Sequence, residues 1–233
     1  QGLHTLYVSP LKALTADVAR NLARPIAGMG LAISVGDRTG DTPESQRRRQ
    51  RAEPPQILLT TPESLALMLS WPEAPRLFAG LRRVVLDELH ALAESKRGDQ
   101  LMLGLARLRS LAPGLAVTGL SATVEDPQAL ARFMGGARVI EADPGPIPDI
   151  AMLPTRQPPP WAGGGGRYAV RDVLEAVAQA RTTIIFLNTR AQAELFFQAI
   201  WTANDDNLPI GLHHGALARE ARQRVEAAMA NGE

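Results

Sequence analysis

The sequence predicts an α/β protein made of two parallel-sheet units joined by a connector rich in proline and glycine. Three observations carry this. Short apolar runs alternate with longer segments of helical period, the alternation breaks once between residues 143 and 167, and it then resumes in the same order. Strands alternating with helices are the pattern of a parallel sheet covered on both faces.

The first unit offers six short runs with the character of buried strands: Leu6-Tyr7-Val8, residues 31–35, Ile57-Leu58-Leu59, Val84-Val85-Leu86, residues 115–117 and Val139-Ile140. Between them, residues 11–22, 62–69 and 99–111 carry a helical period. In the last of these Leu101, Leu105, Leu108 and Ala112 share one face. The break contains Pro144, Pro146, Pro148, Pro154, Pro158, Pro159 and Pro160, then Gly163 to Gly166. Such a stretch holds neither a helix nor a central strand. The second unit then predicts helix 170–180, strand 183–187, helix 191–201, strand 209–212 and helix 218–229. The expected division is 1–143, connector 144–167, and 168–233.

Composition narrows the function classes. The 233 residues suit one large domain or two small ones, at roughly 150 residues per domain. With 25 basic and 24 acidic residues the net charge is +1, which excludes a polycationic nucleic-acid tail and an acidic mimic. Any nucleic-acid contact must come from local placement of charge. No apolar run approaches the ~20 residues that span a bilayer, and no membrane partner is expected. The absence of cysteine excludes disulfides and thiolate-bound metals and fits a reducing, cytoplasmic setting. Lys12 and Lys96 are the only lysines, and the chain opens at Gln1 and stops after a helical pattern. It reads as a piece of something longer.

Chemistry concentrates at Val84-Val85-Leu86-Asp87-Glu88-Leu89-His90. Two carboxylates follow a buried strand, and ligands of open parallel sheets bind outside the carboxyl ends of strands. One acid can hold Mg²⁺ through water while the other orients a water beside a γ-phosphate. The plainer reading is a helix start decorated with acids. Leu120-Ser121-Ala122-Thr123 follows the next strand, with two hydroxyls able to bridge to the acidic segment; such residues otherwise serve as helix caps.

Asp87-Glu88-Leu89-His90 with Ser121-Ala122-Thr123 resembles motifs II and III of superfamily 2 DExH-box helicases. Ser9-Pro10-Leu11-Lys12-Ala13-Leu14 resembles motif Ia, and Thr60-Thr61-Pro62-Glu63-Ser64-Leu65 the next nucleic-acid motif. Arg38-Thr39-Gly40-Asp41-Thr42 falls between them, where the family has another backbone-contacting element. Ile184 to Arg190, ending Asn188-Thr189-Arg190, looks like motif IV, and Leu212-His213-His214-Gly215 like the motif after it. The resemblance covers nearly the whole chain. It is closest to the Lhr (large helicase-related) group and, within it, to bacterial ligase-associated DEXH-box helicases. Ser95-Lys96-Arg97-Gly98-Asp99 and residues 204–210 look like that subgroup.

The resemblance implies two RecA-like domains, both incomplete, and an ATP- and Mg²⁺-dependent DNA helicase or translocase. Movement 3′ to 5′ and a role in repair come with it, on single-stranded or tailed duplex DNA, with RNA or hybrid substrates left open. A ligase or nuclease partner and a bacterial, nucleoid-associated setting are also implied. By similarity Asp87 serves Mg²⁺, Glu88 positions the hydrolytic water, and His90, Ser121 and Thr123 couple ATP state to the DNA side. Ser9, Pro10, Leu11, Lys12, Arg38, Thr39, Gly40, Thr60, Thr61 and Pro62 would contact one strand, as would Asn188, Thr189, Arg190, His213, His214 and Gly215. Local chemistry agrees, because Ser-Pro and Thr-Pro open helices whose free N–H groups suit phosphates. Such contacts position a strand without reading it.

Other features carry plainer readings. The run Gln46-Arg47-Arg48-Arg49-Gln50-Arg51 is expected to be a solvated helix face. His213 and His214, adjacent on a strand end, should point apart and so make a poor transition-metal site. Trp161 could stack on a base or pack on a neighbouring domain. The family also needs a phosphate-binding G-x-x-x-x-G-K-[ST] loop, but Lys12 precedes Ala13 and Lys96 precedes Arg97. The expectation is therefore a core that does not hydrolyse ATP alone, within a parent that does. The alternatives are a nucleotide-independent nucleic-acid-binding module and a metal-dependent phosphoesterase.

Overall fold

A computed structural model describes residues 2–122, 124–143 and 145–232, the side chains of 13, 16 and 219 excepted. The chain divides into two compact units, Gln1–Asp143 and Pro144–Glu233.

In the first unit β1 (Thr5–Val8), β2 (Val35–Arg38), β3 (Ile57–Thr60), β4 (Arg83–Leu86) and β5 (Ala116–Gly119) form one sheet of order β2-β3-β1-β4-β5. Every neighbouring pair is parallel. The crossovers are α1 (Lys12–Gly28), α2 (Glu44–Ala52), α3 (Pro62–Leu69) with α4 (Ala74–Phe78), and α5 (Leu89–Ala93) with α6 (Lys96–Leu111); α7 (Pro127–Phe133) follows β5. Leu6, Val8, Leu58, Val84 and Leu86 are buried with Leu65, Met68, Phe78, Leu101, Leu105 and Leu108 in one core. The four leucine and alanine positions read as one face of α6 all lie in that core.

Three expectations shift. The helix expected to stop at residue 22 runs through Pro25 to Gly28, after which Gly30 takes φ +62 and turns the chain. The strand expected at 31–35 consequently forms later, at Val35–Arg38, where β3 supplies ladder partners for a polar sequence. Val139-Ile140 joins no sheet, and Ile140 is exposed.

The second unit contains α8 (Val170–Ala178), α9 (Arg190–Thr202) and α10 (Arg219–Asn231), the first preceded by a 3-10 turn at Arg167–Ala169. Val170, Phe196 and Ile200 form its small core. The runs expected as strands at 183–187 and 209–212 lie without a backbone ladder among the described residues. A strand needs a paired edge, and Ile184 and Phe186 remain exposed. Part of the connector is not free chain: the Arg156 backbone N–H donates to Asp172 Oδ2 at 3.3 Å, and its guanidinium pairs with Glu175.

Candidate functional site

Register brings the chemistry together. Val8 stands opposite both Thr60 and Leu86, Thr60 opposite Arg38, and Leu86 opposite Gly119. The last residues of all five strands therefore form one row. The residues just past that row are Ser9, Thr39, Thr61, Asp87 and Leu120. Backbone bonds carry the ladder one step further, from Ser9 N–H to Thr60 O (3.0 Å), Asp87 N–H to Val8 O (2.8 Å) and Leu120 N–H to Leu86 O (2.7 Å).

At the centre of this edge the chain turns sharply. Glu88 adopts φ +48 and ψ +45, left-handed for a residue with a side chain, and caps the start of α5. Such a conformation costs roughly 1–2 kcal/mol and persists only where its surroundings impose it. Here the Glu88 N–H donates to Asp87 Oδ1 at 3.0 Å and the Leu89 N–H to Leu120 O at 2.9 Å. The turn lets two adjacent carboxylates leave the strand end together. His90 follows on α5, with Nδ1 3.0 Å from Ser121 Oγ and Nε2 3.3 Å from Glu88 Oε2. A continuous polar line thus joins the end of β4 to the end of β5. Thr123, expected in the same line, lies outside the described residues.

Tyr7 was not singled out from the sequence, although an aromatic hydroxyl inside the aliphatic Leu6-Tyr7-Val8 run was a visible signal. Burial first, then a hydrogen bond to Asp87 and the charges of Asp87 and Glu88, hold its phenol well above the ordinary tyrosine range.

The nucleic-acid candidates of this unit separate into two groups. Ser9, Pro10, Thr39, Thr60, Thr61 and Pro62 are buried. The Thr60 hydroxyl donates to Arg38 O at 2.7 Å, and Thr61 Oγ1 caps α3 by accepting from Ser64 N–H. The Thr60 and Thr61 hydroxyls thereby hold the ends of β3 and α3 in shape. Arg38 is also internal. Its Nη1 donates to Arg47 O (3.1 Å), and its guanidinium lies 4.5 Å from the Trp71 ring centroid, with Arg51 at 4.0 Å from the same ring. Burial, then the Arg51 and Arg47 charges, lower its pKa to about 10.

Leu11, Lys12 and Gly40 are exposed. Lys12 Nζ reaches Asp41 Oδ1 at 2.8 Å, and a Cβ on Gly40 would stand 3.0 Å from that ammonium. Gly40 thus leaves room for the lysine. α1 starts with no side-chain cap, so its first N–H groups are open to an anion. The arginine run is more than a solvated face. Arg47 Nη2 donates to Thr39 O (3.1 Å) and Gly40 O (2.8 Å), and buried Gln50 donates to Asp37 O at 2.9 Å. These bonds brace the 38–42 loop.

In the second unit Asn188, Thr189, Arg190, His213 and Gly215 are exposed. Thr189 Oγ1 caps α9 by accepting from Gln192 N–H (3.2 Å), and Gly215 lies near Arg190 Nη2. His213 Nε2 lies 3.0 Å from Glu226 Oε1 on α10, whereas His214 Nε2 lies 3.1 Å from Glu194 Oε1 on α9. The two imidazoles serve different helices. Trp161 projects fully into solvent.

Asp87 and Glu88 fit Mg²⁺ and a nucleotide phosphate in one respect and not in another. A partly exposed acidic pair at a strand end suits an ion that keeps most of its waters and needs no protein cage. No lysine of this chain lies in a phosphate-binding loop sequence.

Comparison with known proteins agrees with this geometry. The family model described as DEAD/DEAH box helicase matches residues 1–130. The chain is 35% identical over 288 residues to the Lhr helicase/probable uracil glycosylase of Mycolicibacterium smegmatis, covering all of this chain and 18% of that protein. It is 34% identical over 259 residues to the ATP-dependent helicase Lhr-Core of Methanothermobacter thermautotrophicus, covering all of this chain and 30% of that protein. The chain thus spans under a third of these relatives. A structure of Mycobacterium smegmatis helicase Lhr bound to ssDNA and AMP-PNP superposes with TM-score 0.73 at 37% identity, covering 100% of this chain and 33% of that one. The helicase MrfA bound to DNA and AMPPNP gives TM-score 0.79 at 21% identity, covering 99% and 34%, and supports the fold alone. From its strand-end acids to its matched family model, the chain is similar to Lhr helicases and belongs to the DEAD/DEAH box helicase family.

Proposed function

We propose that this chain supplies the core of an Lhr-type ATP-dependent DNA helicase or translocase that moves 3′ to 5′ in DNA repair. Within that group the motifs around Ser95–Asp99 and residues 204–210 resemble the bacterial ligase-associated subgroup. The observation that carries the reading is the single row of strand ends, which sets Asp87, Glu88, His90 and Ser121 beside the starts of α1 and α3. Residues 1–143 act as the first RecA-like domain, 144–167 as connector and 168–233 as the second.

Bound Mg²⁺–ATP supplies the phosphoanhydride and the cation that neutralises it. Asp87 would hold the ion's hydration shell, and Glu88 would orient and deprotonate the attacking water. His90 and Ser121 report the state of Glu88 to β5, and the motif resemblance assigns Thr123 to the same coupling. Lys12, Gly40 and the open amides of α1 take one strand's phosphates, on a loop shaped by Arg38, Thr39, Thr60 and Thr61. In the second unit Asn188, Thr189, Arg190, His213, His214 and Gly215 serve as nucleic-acid contacts. Single-stranded DNA is the ligand because the Lhr helicase of Mycobacterium smegmatis is bound to ssDNA. The setting is the bacterial cytoplasm at the nucleoid, with a ligase or nuclease as partner.

Since neither Lys12 nor Lys96 lies in a phosphate-binding loop, this chain alone binds DNA without turning over ATP. In a longer protein that supplies the loop, Glu88→Gln should abolish ATP turnover and leave DNA affinity within about twofold. Loss of binding would mean that Glu88 serves the DNA side. DNA-stimulated turnover by the 233-residue chain would refute the argument from lysine.

A further inference from the structure

Arg97 joins three elements that the sequence separates widely. It sits in the first turn of α6, two residues past Ser95, whose Oγ caps the helix by accepting from Gly98 N–H at 3.2 Å. Gly98 is required there because a Cβ would come within 2.0 Å of Leu92 O at the end of α5. α6 therefore starts directly against α5, the helix that follows Glu88, and buries Leu101, Leu105 and Leu108 in the core. From this fixed base the Arg97 side chain reaches in two directions. Its Nη2 donates to Pro10 O at 2.9 Å, in the turn between β1 and α1. Its Nε donates to Glu63 Oε1 at 2.5 Å, in the first turn of α3.

We propose that Arg97 is a positioning residue for single-stranded nucleic acid, fixing the spacing between the Ser9–Lys12 turn and the Thr61–Glu63 turn so that one phosphate backbone engages both. The inference rests on the proposed function and names a residue outside its contact set. A planar guanidinium suits the task, since its fork can serve a carbonyl and a carboxylate together, whereas an ammonium is a point donor. Burial pushes the Glu63 carboxyl up, but the bonds from Arg97, its own backbone and Thr61, with the Arg97 charge, outweigh it and hold the carboxyl below the usual range. The link is therefore charged at neutral pH. Two of its donors are taken by protein acceptors, so Arg97 acts through the two turns.

The test is fluorescence anisotropy of the 233-residue chain with a fluorescein-labelled oligothymidylate across a salt series. Wild-type chain that binds nothing overturns the proposed function and this inference with it. Given binding, Arg97→Ala should weaken it about fivefold with an unchanged salt slope. Arg97→Ala/Glu63→Ala should be no weaker than Arg97→Ala. A slope shallower by ~0.7 would make Arg97 a direct phosphate contact, and wild-type affinity in Arg97→Ala would remove any role; either result overturns the proposal while the proposed function stands. Should Arg97→Ala melt below the working temperature, Arg97→Lys decides. A single ammonium should bind DNA about as weakly as the alanine variant is expected to, and wild-type affinity in Arg97→Lys would refute the fork.

Discussion

His90 bonds to Ser121 across the gap between two strand ends, with Nδ1 3.0 Å from Oγ, while its Nε2 faces Glu88. Any movement of the Glu88 carboxylate must therefore be felt at the end of β5. In a longer, ATP-hydrolysing form, Ser121→Ala should lower DNA-stimulated turnover about tenfold, as loss of a hydrogen bond near a charged group does. Basal turnover and DNA affinity should change little. Steady-state ATPase assays with and without DNA check this; equal loss in both would place Ser121 in the hydrolytic step itself.

Tyr7 makes the alkaline limb of stability specific. Its folded-state pKa is raised, chiefly by burial and then by Asp87, above the unfolded value of about 10. The contribution is fully present below that value and is lost as the pH rises past it, because the unfolded phenol ionises first. Tyr7→Phe should flatten the fall of thermal midpoint on the alkaline side and remove a late-titrating phenol from the ultraviolet titration. An alkaline fall identical in both proteins would separate Tyr7 from the acidic pair.

Gly98→Ala tests how tightly α6 sits on α5. The added methyl would meet a backbone carbonyl at 2.0 Å, which cannot move aside. Overpacking of this kind should destabilise the first unit by about 3 kcal/mol, read from urea unfolding. Gly119→Ala is the comparison, since its methyl meets Met134 Sδ at 2.6 Å and Leu89 Cδ2 at 2.8 Å, both side-chain atoms. Its cost should be smaller. The reverse order would mean that the helix start is free to shift.

Trp71 receives two guanidinium groups, from Arg38 and Arg51. Trp71→Ala should cost about 2 kcal/mol through lost packing and cation–π contact. It should also expose α2 and the 38–42 loop to trypsin, with cleavage among Arg47 to Arg51 appearing first. Unchanged proteolysis would mean that Arg47 and Gln50 hold α2 without the ring.

Legibility varied with how local each determinant is. The helix Pro62–Leu69 was readable to the residue because Thr61 and Pro62 mark its start chemically. The strand 57–59 was readable because it is apolar and buried on both faces. β2 was not: Val-Gly-Asp-Arg lacks an apolar pattern and is a strand because β3 supplies its ladder. The arginine run read as solvent-facing because sequence carries charge but not the placement of the Thr39 and Gly40 carbonyls to which Arg47 donates. The hydroxyls of Thr60 and Thr61 looked like free donors for the same reason.

By itself the sequence determined the alternation of strand and helix through the first unit, the acids at the end of β4, the hydroxyls after β5 and the lack of a lysine in a phosphate-binding loop. These depend on residue type and short spacing, which covalent order preserves. Only the tertiary structure decided that five strand ends fall on one row, that Glu88 turns left-handed beside Asp87, and that His90 bridges to Ser121. It alone brought Arg97 to Pro10, 87 positions back. Such contacts depend on register and on which polar atoms remain unpaired once the sheet has formed, and neither quantity exists before the chain has folded.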